Sequence, residues 1–342
     1  MELASIWFFI WGLLWAIYFI TDGFDLGIGI LLPFLGKKEE ERRTMLRAMG
    51  PLWNGNEVWL ITAGGVTFAA FPMLYAVMFS SLYTALMLVL FGLIIRGVCV
   101  DLRAKANTNA WRRISDAGIF LGSLLPGILL GAAFANIFRG LPIDKEGIFH
   151  GSILTLLNPY GLLGGVLFLM FFLLHGSIWL SIKTQGELRV KAAATSAGLW
   201  VALLIAAVVF LISSAFATTL YDNYISRPGL GVVILIAVAS ILAIRFFLAK
   251  KAYWKAWFSC AISILASTFF GVIGLFPAMF PSSLNREWSL TAFNASSSPL
   301  TLKIMLIVAI IFVPIVLAYQ IWAYGLFRHP VTEKEMASED SY

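Results

Sequence analysis

The stretch IYFITDGFDLGIGILLPFLG, residues 17–36, is apolar enough to cross a bilayer, yet it carries Asp22 and Asp25 among Gly23, Gly27 and Gly29. Charge in hydrocarbon is costly, so acids inside such a run face other protein groups or a water-filled route, and they mark function by default. Whether the run is a membrane span depends on the chain around it.

Of the 342 residues, 60% are hydrophobic and only 12% are charged, against about a quarter charged in a soluble domain. The composition excludes a soluble domain and predicts an all-α integral membrane protein. The net charge of +6 gives no reason to expect nucleic acid, because Lys and Arg in membrane proteins are placed first by topology. Cys99 and Cys260 fall in or beside apolar runs without CxxC spacing, so neither a disulfide nor a metal site is predicted. The first segment lacks a basic n-region and its apolar run outlasts a signal peptide's h-region, so it is expected to remain as the first helix.

Runs long enough to span a core of about 30 Å fall near residues 5–32, 52–71, 74–97, 114–138, 158–181, 193–216, 230–248, 257–280 and 302–326. Phe71-Pro72 divides the second from the third. Nine transmembrane helices put the termini on opposite sides. Nineteen of the 24 Lys and Arg residues then fall in the loops 36–51, 98–113, 182–192 and 249–256, the adjoining helix ends and the C-terminal tail; only Arg139, Lys145, Arg227, Arg286 and Lys303 fall on the other side. By the positive-inside rule the N-terminus is outside and the C-terminus cytoplasmic. Residues 1–342 read as one transmembrane domain with a short cytoplasmic tail, 328–342, whose HPVTEKEMASEDSY looks disordered. The twelve tryptophans lie mostly toward span ends, as an aromatic belt would have them.

In this topology Asp22 and Asp25 sit in the inner part of the membrane, level with Asn54, Asn56 and Glu57 at the start of the second helix and with Arg96 and Asp101 at the end of the third. Asp116 opens the fourth. Asp22 and Asp25, like Asn54 and Glu57, are three residues apart, so each pair shares one helix face. Facing each other they would form a polar patch open to the cytoplasm, suited to a proton or ion entry route. The glycines permit close helix approach. A plainer reading competes: Asp22 pairs with Arg96, and Glu57 is an acid near a helix N-terminus, where the dipole favours it. The three histidines offer no facing haem ligands; His150 lies in an outer loop, His329 in the tail, and His175 in the fifth span reads as a packing or hydrogen-bonded residue. No phosphate loop, Cys/His metal spacing or nucleophile elbow occurs.

Several segments resemble a known family: TDGFDLGIGILLPFLG (21–36), ERRTMLRAMGPLWNGNEVWLITAGGVTFAAFPMLYAVMFSSLY (41–83), RGVCVDLRAK (96–105), WRRISDAGIFLGSLLPGILLGAAFANIFRGLPI (111–143), LLNPYGLLGGVLFL (156–169), LFPAMFPSS (275–283), NASSSPLTLKIM (294–305) and PIVLAYQIWAYGLFR (314–328). Together these are similar to subunit II of cytochrome bd-type quinol oxidases over nearly the whole chain. The resemblance implies a haem-free subunit in the bacterial or archaeal cytoplasmic membrane, packed against a homologous subunit I that carries the b and d haems and the quinol site and reduces dioxygen to water. It also implies a structural quinone in this chain, lipid contacts, small single-helix accessory subunits, no catalytic or metal-ligating residue here, and a proton path from the cytoplasm. By position, Asp22 and Asp25 match the family's D-G-F-D motif and 54–59 its W-D-G-N-x-V-W motif, with Asn54 where many relatives have Asp. An amide cannot carry a proton, so Glu57, one turn on, is expected to compensate. Asp101 and Arg96 are expected at the inner mouth. A secondary ion- or proton-coupled transporter is the alternative, though no inverted half-repeat is evident.

Overall fold

Long apolar runs leave the backbone no water to bond in a bilayer, so the α-helix, which satisfies its amides internally, is the local solution. The computed structural model describes residues 2–332; the distal tail, 333–342 with Lys334, lies outside the described residues. Helix α1, Leu3–Leu35, has 33 residues, about 50 Å at 1.5 Å per residue. It is followed by α2, Glu39–Met49, whose polar composition keeps it outside the hydrophobic layer.

α3, Trp53–Ala70, runs back along α1: Asn56 meets Asp25 at one end, and the Trp11 indole donates to the Thr67 hydroxyl at 2.9 Å near the other. The break at Phe71-Pro72 falls where expected, but the expected span 74–97 is divided into α4, Pro72–Ser81, and α5, Tyr83–Ala104. The division is confined to Leu82, whose backbone at φ −99°, ψ 13° departs from the helix, while its amide still donates to the Met78 carbonyl at 2.9 Å and its carbonyl accepts from the Leu86 amide at 2.8 Å.

The remaining long helices are α6, Asn109–Arg139, α8, Pro159–Lys183, α9, Gly186–Ala217, α11, Val232–Ala249, α12, Tyr253–Leu275, and α13, Pro299–Leu326; α7, Ile153–Leu156, and α10, Asp222–Ser226, are short outer turns. Their starts follow local chemistry: Thr108, Asn158 and Ser298 accept the amides of Trp111, Gly161 and Thr301, and Pro159 and Pro299 occupy first-turn positions. Among the described residues eight helices, α1, α5, α6, α8, α9, α11 (with the 3-10 turn before it), α12 and α13, are long and apolar enough to cross a membrane. α3 falls below them because Asn54, Asn56 and Glu57 lower its apolarity.

α1 lies at the centre, packed against α3, α6, α8 and α12. Its tightest approach is to α8, where a Cβ on Gly27 would collide with the Phe172 carbonyl and one on Gly176 would lie 2.8 Å from the Phe24 carbonyl. Gly23 and Gly29 likewise meet Phe172 and Ser123, so the glycines of the opening stretch serve close packing as expected.

Many of the tryptophans face neighbouring helices rather than the outside of the bundle. Seven of the twelve, Trp7, Trp11, Trp15, Trp53, Trp59, Trp179 and Trp257, are buried. Internal acceptors make this tolerable for several of them: Trp7 donates to the Leu302 carbonyl and Trp179 to the Ala48 carbonyl, each at 2.9 Å.

At one end the two longest polar connections cap the bundle. A hairpin of β1, Ala278–Phe280, and β2, Leu290–Thr291, sits in one. The Ser282 hydroxyl reaches the Ile143 carbonyl in the other at 2.6 Å. At the opposite end the four basic loops emerge together. α13 is exposed along its length, with Leu302 its only buried residue among those described; it is held by polar ties to α1 and α3, and Lys183 of α8 donates to the His329 carbonyl just beyond its end at 2.7 Å.

Candidate functional site

A polar cluster occupies the meeting point of α1, α3, α5 and α13. On α1 the i, i+3 spacing turns Asp22 and Asp25 inward, both with 0% exposure. Asp25 accepts a hydrogen bond from the Asn56 amide at 2.7 Å, and the Asn56 carbonyl accepts one from the Tyr324 hydroxyl at 2.7 Å. Beside this chain, Arg96 of α5, 1% exposed, donates to Asp22 at 2.8 Å and lies 3.5 Å from a carboxylate oxygen of Glu57. Trp59 and Gln320 close the α13 side: the indole donates to the Gln320 side-chain carbonyl at 3.0 Å, and the Gln320 amide donates to the Gly55 carbonyl at 3.1 Å.

The cluster holds three carboxyl groups and one guanidinium. Several buried polar atoms have no hydrogen bond: one oxygen each of Asp22 and Asp25, Nε and Nη1 of Arg96, and the hydroxyl of Tyr18, one turn before Asp22 on the same face. Buried groups of this kind normally bond to protein or ordered water.

Four of the six expected residues are brought together: Asp22, Asp25, Glu57 and Arg96. Two are not. Asn54 is exposed on the far side of α3, and Asp101 is exposed near the end of α5. The reason is helical phase. The buried stripe of α3 runs Trp53, Asn56, Trp59, Ala63, Thr67, Ala70, so Asn56 points at α1 and Asn54 does not. That stripe was the available signal for Asn56; Tyr324 had none, because nothing local to its helix tells which neighbour it meets. Asp116 also leaves the layer, joining a second charged tier.

That second tier lies about 10 Å away along α5, seven residues on at 1.5 Å each. Arg103 pairs with Asp116 at 2.5 Å and with both oxygens of Glu39 at 2.9 and 3.0 Å, and Arg42 reaches Asp116 at 2.6 Å. Glu41 accepts Lys191 at 2.8 Å and the amides of Lys37 and Lys38, each at 2.9 Å. Hydrogen bonds from Arg103 hold the Glu39 carboxyl below the usual range. For Glu41, burial pushes upward but is outweighed by the Lys191 and backbone hydrogen bonds, and the net direction is also down.

His175 is packed and hydrogen-bonded, in line with expectation: its Nε2 lies 3.1 Å from the Ile20 carbonyl and its ring stacks on Trp257 with centroids 4.9 Å apart. A separate, almost wholly apolar cavity of about 90 Å³ lies among α1, α6, α8, α9, α11 and α12, walled by Phe19, Phe134, Phe168, Phe172, Phe210 and Phe270.

Residues 3–327 match the family described as cytochrome bd terminal oxidase subunit II. The chain is 35% identical over 374 residues to the cytochrome bd-I ubiquinol oxidase subunit 2 of Escherichia coli (strain K12), covering 98% of this chain and 96% of that protein. It is 36% identical over 335 residues to the cytochrome bd ubiquinol oxidase subunit 2 of Bacillus subtilis (strain 168), covering 98% of each. The fold resembles a chain in the structure of bd oxidase from Geobacillus thermodenitrificans, with a TM-score of 0.80 over 96% of this chain and 99% of that one; at 16% identity the likeness is one of fold. Long motifs, a central acidic α1 and relatives matched along their full length converge, and the chain belongs to the cytochrome bd terminal oxidase subunit II family.

Proposed function

We propose that this chain is the haem-free subunit of a membrane quinol:dioxygen oxidoreductase and that its inner acidic cluster relays cytoplasmic protons toward the oxygen-reducing site of a haem-bearing subunit I. Family membership along the whole chain supports the oxidase over the secondary transporter. The bacterial relatives favour a bacterial cytoplasmic membrane over an archaeal one. The haems of subunit I would supply electron transfer and oxygen reduction.

The observation that carries the proton role is the buried line Asp25–Asn56–Tyr324 beside Asp22–Arg96–Glu57. The cluster sets three carboxyl groups against one guanidinium, an excess of acid that protons can neutralise. The unbonded atoms of Asp22, Asp25, Arg96 and Tyr18 offer donors and acceptors to water, which would continue the route. Glu57, with a side chain 23% exposed, is the group nearest solvent and stands in for an acid at 54.

We read α3 as the ninth crossing, since it lies antiparallel to α1 between Asp25 and Trp11, and the charge distribution puts the N-terminus outside. The apolar aromatic cavity, at about 90 Å³, has room for the end of an isoprenoid or acyl chain but not for a quinone ring. The exposed apolar faces of α3–α5 and α13 would receive subunit I, lipid and any single-helix accessory subunit.

The test is to tag this chain, extract it mildly from its own membranes, and record the reduced-minus-oxidised spectrum and quinol-driven oxygen uptake. Copurification of a larger haem-bearing subunit with b- and d-type bands is expected. A chain that purifies alone, colourless and inert toward quinol, would overturn the reading.

A further inference from the structure

A cleft of about 780 Å³ opens at the basic end of the bundle, where the start of α9 and the α11–α12 turn meet the end of α8 and the residues after α13. Its walls carry Arg189, Lys251, Lys255 and Arg328 and no carboxylate. Elsewhere at this end cations meet acids: Lys38 and Lys191 pair with Glu187, Arg42 with Asp116, and Arg103 with Glu39 and Asp116. Among the described residues the cleft cations have no acidic partner. Arg189 donates its Nε to the Thr184 carbonyl at 2.7 Å, leaving the outer fork of its guanidinium, and Lys255 lies 5.9 Å from the Phe247 ring centroid. Like charges gathered in one cleft repel unless an anion joins them.

Two features give that anion a lipid character. Trp254 and Tyr253, aromatics with polar edges suited to the bilayer interface, line the same cleft. From Val190 in its wall, exposed Val201, Ile205 and Val208 continue up one face of α9, since 11, 15 and 18 residues all return near the same helical angle. A soluble anion has no use for such a stripe, whereas an acyl chain does.

We propose that this cleft binds the phosphate headgroup of an anionic phospholipid, with an acyl chain laid along the Val190–Val208 face of α9. Clusters of Lys and Arg at the cytoplasmic bilayer surface attract anionic lipid, and the guanidinium fork of Arg189 suits phosphate oxygens. The site requires only that the chain spans a bilayer, so it stands apart from the oxidase reading.

The test uses the detergent-purified intact complex, stripped of bound lipid. Tryptophan fluorescence is titrated with phosphatidylglycerol brominated in its acyl chains and, separately, with brominated phosphatidylcholine; the signal lost in Trp254→Phe isolates the cleft. Quenching of Trp254 by phosphatidylglycerol at much lower concentration than by phosphatidylcholine is expected, with a loss of roughly fivefold in apparent affinity for each of Lys251→Gln and Lys255→Gln. Equal quenching by both lipids, or indifference to these substitutions, would overturn the site. Displacement by inorganic phosphate at matching concentration would overturn the lipid assignment in favour of a free anion. Binding that emerges only when the chain is cut after Thr332 would overturn it in favour of the chain's own Glu333, Glu335, Glu339 and Asp340.

Discussion

The Asn56 amide donates to Asp25 at 2.7 Å, which makes a neutral side chain the direct partner of a fully buried acid. Removing that donor leaves Asp25 without a hydrogen bond, at a cost of about 1–3 kcal/mol. Asn56→Leu is therefore expected to lower both the melting temperature of the purified complex and its quinol-driven oxygen uptake. Asn54→Ala, at the exposed site two residues earlier, should leave both near wild type; the opposite pattern would mean that α3 is turned the other way.

Arg96 and Asp22 are 2.8 Å apart and both buried. Breaking a buried pair from one side leaves an uncompensated charge and costs about 3–5 kcal/mol. Arg96→Met should abolish or strongly reduce assembly, and Arg96→Met with Asp22→Asn should recover part of it. Complex yield and thermal stability across the four members of this double-mutant cycle measure the coupling; additive losses would show that the two do not act as a pair.

If Glu57 stands in for an acid at 54, Glu57→Gln should change the pH profile of oxygen uptake while assembly holds. The direct observable is proton uptake per oxygen in reconstituted vesicles across the pH range. A profile that superimposes on wild type at every pH removes Glu57 from the path.

Gly27 packs on the α8 backbone with no space for a methyl group, whereas Gly65 has nothing near its Cβ position. Gly27→Ala should force α1 and α8 apart and destabilise by about 1–3 kcal/mol, in the range of overpacking. Gly65→Ala should be neutral or slightly stabilising, through helix propensity. Thermal unfolding of the two variants decides.

Glu39 and Glu41 both have depressed carboxyl pKa values, the first through hydrogen bonds from Arg103, the second because hydrogen bonds from Lys191 and two backbone amides outweigh burial. Their stabilisation is fully present above the unfolded carboxylate value of about 4.3 and disappears as pH falls through the lower folded values. Amide exchange in α2, corrected for intrinsic rates, should be steady from about pH 8 to 5 and accelerate below about 4. In Glu41→Gln, part of that protection should already be missing at neutral pH.

The membrane class, most span positions and the grouping of basic loops at one end were legible in the sequence because each depends on local quantities: the length of an apolar run, the residues at its edges and the tally of Lys and Arg in a loop. The glycines of residues 23–29 announced close packing, and the segments resembling subunit II carried the family. Asp22, Asp25, Glu57 and Arg96 could be brought to one layer by depth alone, since rise per residue fixes depth along a helix.

Azimuth is another matter. Which face of α3 looks at α1 depends on how two helices settle against each other, and that chose Asn56 over Asn54, left Asp101 exposed and drew Asp116 into a separate tier with Arg42 and Arg103. Tyr324 joins Asn56 from 268 residues away, and a departure from helical geometry at Leu82 interrupts an apolar run that hydropathy alone reads as continuous. Hydropathy sets what enters the bilayer; only side-chain packing and hydrogen bonds between helices decide which polar groups meet there, because within hydrocarbon the hydrophobic effect no longer discriminates one helix face from another.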